Sequence, residues 1–217
     1  MVRTSPSHGE NRDSTSLGVT MRKILGSEFF ERPALVAARD LLGKYLVRRM
    51  NGREEALMIT ETEAYFGFED KGSHAHRGQT ARNTPMFMRG GIIYVYFTYG
   101  MHWMLNLVCG REGFPAAVLI RGVISKAEVL RGGVGVVFIS PERRTSAELN
   151  GPAKLTKALG IDKSLNGKAL GKKTGLWVED RGVRIYRKEI KRTPRIGIPN
   201  RGVWTGKPWR FVYRSNK

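Results

Sequence analysis

The 217-residue sequence predicts an α+β fold, a single domain in which a curved, largely antiparallel β-sheet carries a few flanking helices. Three observations lead there. Most apolar runs have the length and alternation of strands, only two segments are spaced like helices, and strands do not alternate regularly with helices as a parallel sheet requires. The length suits one domain, with no room for a second catalytic one.

In chain order, residues 1–20 are rich in Ser, Thr, Gly and Asn and nearly free of large apolar groups. They cannot offset the entropy of ordering and are expected to form a flexible tail. Met21 could serve as an alternative start, and the domain is expected to run from 21 to 217. Pro33 reads as the first residue of a helix through Leu42, with Gly43 as its stop and Leu35, Ala38, Leu41 and Leu42 as its apolar face. KYLVRRM, Asn51-Gly52 and REEALMITETEAYF then make a two-residue β-hairpin, because Asn-Gly accepts the left-handed backbone of such turns. Strict alternation along the second strand puts Leu57, Ile59, Glu61, Glu63 and Tyr65 on one face, with Met58, Thr60, Thr62 and Ala64 on the other.

Residues 67–91 read as a long loop of the kind that carries function. IIYVYFTYG is an aromatic strand in which Val95 and Phe97 are the expected core residues. Tyr99-Gly100-Met101-His102 makes a tight turn into WMLNLVC, with Tyr99 at the hairpin tip. AAVLIRGV is a strand, GPAKLTKALG a short helix closed by Gly160, and GLWVED, VRIYRKEI and WRFVYR three further strands. No internal repeat or heptad calls for an oligomer, so a monomer is expected.

Thirty-eight Lys and Arg against 19 Asp and Glu give a net charge of +19, far above what solubility needs. The excess gathers at residues 181–217, where twelve basic residues face one acid, Glu189. A polyanionic partner explains it. Cys109, the only cysteine, excludes an intrachain disulfide and a multi-cysteine metal site. The longest apolar run, 91–97, is too short to cross a bilayer, and no signal-peptide core opens the chain, so a soluble cytoplasmic protein without a membrane partner is expected.

Acids and imidazoles concentrate at Glu61, Glu63, Glu69, Asp70, His74 and His76. A carboxylate beside a phosphate-binding surface costs affinity, and activating a water is the natural reason to keep it. A metal nuclease would gather Glu61, Glu63, Asp70, His74 and His76 around a divalent cation. A glycosylase needs one carboxylate and aromatic surfaces for an extruded base. Tyr65, His74, Tyr94, Tyr96, Tyr99, His102 and Trp103 flank the acids and favour the second. A non-catalytic nucleic-acid-binding module would use the same basic strands. No phosphate-binding Gly-Lys loop, Gly-x-Ser-x-Gly elbow or paired-cysteine zinc signature is present.

Together, ITETEAYFGFED, SHAHRGQTARNTPMFMRGG, IYVYFTYGMHWMLN, VLIRGV, GPAKLTKALGI and KPWRFVYR resemble the alkyladenine (3-methyladenine) DNA glycosylase family, collinearly over about residues 25–215. The resemblance implies a cofactor-free, metal-free enzyme that flips a damaged purine from double-stranded DNA and hydrolyses its N-glycosidic bond. It implies Glu63 as general base, with Arg121 and the Ile196 carbonyl as further contacts of the attacking water. Tyr65 would cover one face of the base, and His74 with Tyr96 the other. Asn106 would exclude the amino group of normal guanine. Tyr99 would intercalate, with Met101 and His102 contacting DNA beside it; His102 stands where the best-known members carry tyrosine. A water nucleophile needs no Schiff-base lysine, so no strand cleavage is expected.

Overall fold

The computed structural model describes residues 22–125 and 149–214, so the expected tail over 1–20 lies outside the described residues. Short strand β1 (Lys23–Ile24) leads into helices α1 (Ser27–Phe30) and α2 (Ala34–Asp40). Strands β2 (Tyr45–Met50), β3 (Arg53–Phe66), β4 (Ile93–Thr98), β5 (His102–Val108) and β6 (Ala116–Ile124) follow. After them come β7 (Leu149–Asn150), α3 (Pro152–Ala158), β8 (Leu176–Asp180), β9 (Ile190–Thr193), α4 (Val203–Gly206) and β10 (Arg210–Tyr213). The strands form one sheet in the order β1-β8-β2-β3-β6-β5-β4; β10 bridges β3 and β9, and β7 adds to β6. All the strand pairs are antiparallel.

One face of this sheet is the main core. Leu46, Leu57, Ile59, Leu105, Leu107, Val118, Ile120 and Val178 pack there beneath Ala34, Ala37, Ala38 and Leu41 of the α2 region and Leu155 and Leu159 of the α3 region. Burying each large side chain contributes roughly 1.5–3 kcal/mol. Pro33 is the cap just before α2, not its first residue, and Leu35 is only partly buried. The helix ends at Asp40, short of the expected Leu42, with Leu41 as its C-cap, and Gly43 (φ +79) closes the turn that follows.

Strand β3 departs from strict alternation. Ile59 pairs with Val123 and Glu61 with Gly122, so Thr60 is an extra residue on β3; Glu61 and Thr62 then pair with Gly122 and Ile120, so Arg121 is an extra residue on β6. Each bulge shifts the pleat by one residue. Leu57 and Ile59 face the helical core, yet beyond the bulge Ala64 and Phe66 face it instead, and the Thr62 hydroxyl donates to the Ala38 carbonyl in α2 (2.8 Å). Glu61, Glu63 and Tyr65 are therefore on the face opposite Leu57 and Ile59, which corrects the single-face reading.

Two further expectations fail. VRIYRKEI is not a strand: Glu189 accepts from the Tyr186 amide (2.7 Å), closing a 3-10 turn over Arg187–Glu189, and β9 begins only at Ile190. Val183 and Ile185 pack on different apolar clusters, which mimics strand alternation. Val95 is core, but Phe97 is 42% exposed and lies against Trp103 instead.

Candidate active site

The face opposite the helices is ordered in rows, because residues paired across antiparallel strands project to the same side. Glu63 pairs with Leu119, Leu119 with Asn106 and Asn106 with Tyr94, giving one row across β3, β6, β5 and β4. The next row carries Tyr65, Ala117 and Val108. Four strands at about 4.8 Å spacing set the Glu63 and Tyr94 backbones roughly 14 Å apart across the sheet, with Leu119 and Asn106 between them.

Glu63 is fully buried. Its Oε1 accepts from the Ile196 amide (2.7 Å) and lies 3.4 Å from the Arg121 Nε, while Oε2 accepts from the Tyr65 hydroxyl (3.0 Å). A carboxylate has about four acceptor sites, so capacity for a water remains. Burial raises the Glu63 pKa above the ordinary glutamate value; Arg121, the Ile196 amide and Tyr65 pull it back, and Glu61 pushes it up. The outcome is a carboxylate more basic than a solvated one, which suits a proton acceptor.

Glu61 is bound by two guanidinium groups, since Arg121 Nε donates to its Oε1 at 2.8 Å and Arg210 Nε at 2.6 Å. Arg121 thus stands between two carboxylates. The β6 bulge places it there by putting Arg121 out of ordinary register.

The aromatic wall comes from β4 and the 67–91 loop. His74 Nδ1 is 3.2 Å from the Tyr94 hydroxyl, and its ring meets Tyr96 edge to face at 4.6 Å. Desolvation, aided by the neighbouring Arg82 and His76, holds the His74 pKa below the usual imidazole range, leaving a neutral ring suited to stacking. Burial lifts the Tyr96 pKa to about 12. The loop is pinned by Asn83, whose Nδ2 donates to the His74 and Gly78 carbonyls (3.1 and 3.0 Å). Asn106 is buried and donates to the Tyr94 carbonyl (3.2 Å), which fixes its amide on this face of the sheet.

Glu63, Arg121, Ile196, Tyr65, His74, Tyr96 and Asn106 are thus brought together, although what reaches Glu63 from Ile196 is its amide. Tyr99, Met101 and His102 stand apart at the β4–β5 tip. Tyr99 is 78% exposed, with φ +52, and Met101 and His102 are also exposed.

The acids do not converge as a cation site would require. Asp70 is held by both Nη atoms of Arg195 (2.6 and 2.7 Å), and His76 Nδ1 lies 2.8 Å from the Ser73 carbonyl. Among the described residues no three His, Cys, Asp or Glu are grouped to hold a metal. Sequence reading missed Arg195, Arg210 and Arg82, whose Nη2 donates to the Phe97 carbonyl (2.8 Å) and whose guanidinium lies 5.2 Å from the Tyr96 ring centre. The only local signal for Arg195 is its position next to Ile196 in PRIG.

Residues 28–217 match the family described as methylpurine-DNA glycosylase. The chain is 44% identical over 194 residues to a Methanocella arvoryzae protein provisionally named 3-methyladenine DNA glycosylase, covering 89% of this chain and 94% of that one. A Streptomyces avermitilis protein with the same provisional name is 42% identical over 192 residues, covering 88% of this chain and 87% of its own. Mouse DNA-3-methyladenine glycosylase is 38% identical over 200 residues, covering 88% of this chain and 60% of the mouse protein.

Proposed function

The chain belongs to the methylpurine-DNA glycosylase family, a DNA glycosylase that cleaves N-glycosyl bonds in base excision repair, and from that premise we propose how its own residues do so. Glu63 is the general base. With an alkylated or deaminated purine extruded from the duplex, Glu63 takes a proton from water as the water oxygen bonds to C1′ and the N-glycosidic bond breaks. The bonding pair leaves with the base, and an abasic site remains. Arg121 and the Ile196 carbonyl hold the water, and the ionised carboxylate also stabilises the cationic sugar in the transition state.

The base lies between Tyr65 on one side and His74 with Tyr96 on the other. A purine alkylated at N3 or N7 is cationic, so it stacks well on tyrosine and leaves as a neutral molecule. Asn106, held by the Tyr94 carbonyl, turns away a guanine amino group. Tyr99 enters the gap in the duplex and offsets part of the few kcal/mol that flipping costs. The enzyme works as a monomer, without strand cleavage.

The observation that carries this reading is a fully buried Glu63, held by the Ile196 amide and the Tyr65 hydroxyl beside the aromatic wall of a +19 protein. Alkylated duplex incubated with the protein and EDTA should release free 3-methyladenine without backbone nicks. In Glu63→Gln the single-turnover rate should fall about 10²–10⁴-fold, with duplex affinity held within a few-fold. Undiminished turnover would remove Glu63 from the mechanism.

A further inference from the structure

We infer that the buried Asp70–Arg195 pair is a positioning device, holding the Arg195–Ile196 backbone and the Tyr65 ring where together they aim both oxygens of the Glu63 carboxylate. The inference rests on the reading of Glu63 as general base and assigns to two residues outside the reacting centre the task of setting it.

Arg195 connects directly to the surroundings of Glu63. Its Nη1 donates to the carbonyl of Ala64, the residue after Glu63 (3.0 Å). Its guanidinium lies 4.7 Å from the Tyr65 ring centre, and Tyr65 donates to Oε2. Its own backbone continues into the Ile196 amide that donates to Oε1. Asp70 fixes this guanidinium as a two-pronged partner and is itself fixed by the Phe66 and Gly72 amides (3.2 and 3.0 Å). The fit is close, for a Cβ at Gly72 would come within 2.5 Å of Arg195 Nη2.

Stability alone does not account for the pair. A buried ion pair about breaks even against an apolar replacement, and Arg195 Nε finds no acceptor among the described residues. What the pair supplies is direction. A planar fork set against a carboxylate fixes orientation as well as distance, and the parts it orients are the two hydrogen-bond donors of the base.

The test uses Arg195→Lys and Asp70→Asn in the full chain. Lys keeps the charge but cannot make the fork; Asn is isosteric and loses the charge. Losing the Ile196 donor removes a bond to the ionised form, so the Glu63 pKa should rise by about one unit, read by ¹³C NMR titration of its carboxyl in the free protein. The acid limb of single-turnover 7-methylguanine release should move up in pH equally, and the rate at neutral pH should drop about tenfold, with duplex Kd within threefold. A lower melting temperature with unmoved titration and acid limb would make the pair ordinary scaffolding and overturn the inference. If Arg195→Lys does not fold, Asp70→Asn is read the same way. A shifted titration with an unmoved rate supports the positioning and places the failure in the role given to Glu63.

Discussion

Two hairpin tips in this sheet solve the same backbone problem with different residues. At the β2–β3 tip Asn51 and Gly52 have φ +50 and +74; at the β4–β5 tip Tyr99 and Gly100 have φ +52 and +66. Both need left-handed backbone at two successive positions. Asn tolerates this conformation because its short amide bonds locally, whereas a bulky residue there is an outlier that costs on the order of 1 kcal/mol. Tyr99 gains little in return, being 78% exposed. The first tip is built for folding, and the second gives up stability to present a tyrosine outward.

The largest effect expected from breaking this contrast is on catalysis. Tyr99→Asn gives the second tip the residue of the first and should raise stability by about 1 kcal/mol, or some 2–4 °C in Tm for a chain of this size. It also removes a stacking group worth about 1–3 kcal/mol per base. Single-turnover excision should therefore fall roughly tenfold to a hundredfold, and a fluorescent base analogue opposite the lesion should lose its flipping signal. An enzyme that becomes more stable and excises at the same rate would show that the strained tyrosine has no part in base extrusion.

The same contrast marks what can be read from sequence. Asn51-Gly52 is legible because turn chemistry is local, and so are the strands on either side of it. The face of Glu63 is not legible, because the Thr60 and Arg121 bulges depend on how β3 and β6 meet, some sixty residues apart in the chain. Period-two counting has no means of detecting such a step. Motif resemblance locates Glu63, Tyr65, His74, Tyr96 and Asn106, and register then shows why Glu63 and Asn106 share a row: both pair with Leu119. Arg195 and Arg210 escape a reading of local pattern since their partners Asp70 and Glu61 lie 125 and 149 residues away. The false strand over VRIYRKEI has an equally physical origin, as alternating Val183 and Ile185 serve two separate clusters while Glu189 ties a turn.

The reverse exchange, Asn51→Tyr, should cost about 1 kcal/mol and leave excision unchanged. The strain is moved to a tip that, if the contrast holds, is not used on the duplex. Urea denaturation with an unaltered slope would register the loss as a change of midpoint alone. A matching fall in excision rate would mean that both tips engage the duplex, and the functional contrast between them would disappear.

The smallest effect is expected at the stem of the first hairpin, where Arg49 Nη2 meets Glu54 Oε1 at 2.6 Å, with the two side chains 40% and 43% exposed. Exposed pairs of this kind contribute about 0–1 kcal/mol, so Arg49→Ala should barely move the unfolding midpoint. Its value lies in the salt dependence of duplex binding. Removing one cation that neutralises a phosphate flattens the slope of log Kd against log salt by about one. If the Asn51 tip is only scaffold, Arg49→Ala leaves that slope intact, because a guanidinium already neutralised by Glu54 releases no counterion on binding. A slope reduced by about one would instead place Arg49 on the phosphate backbone and extend the nucleic-acid surface across the same end of the sheet as Tyr99.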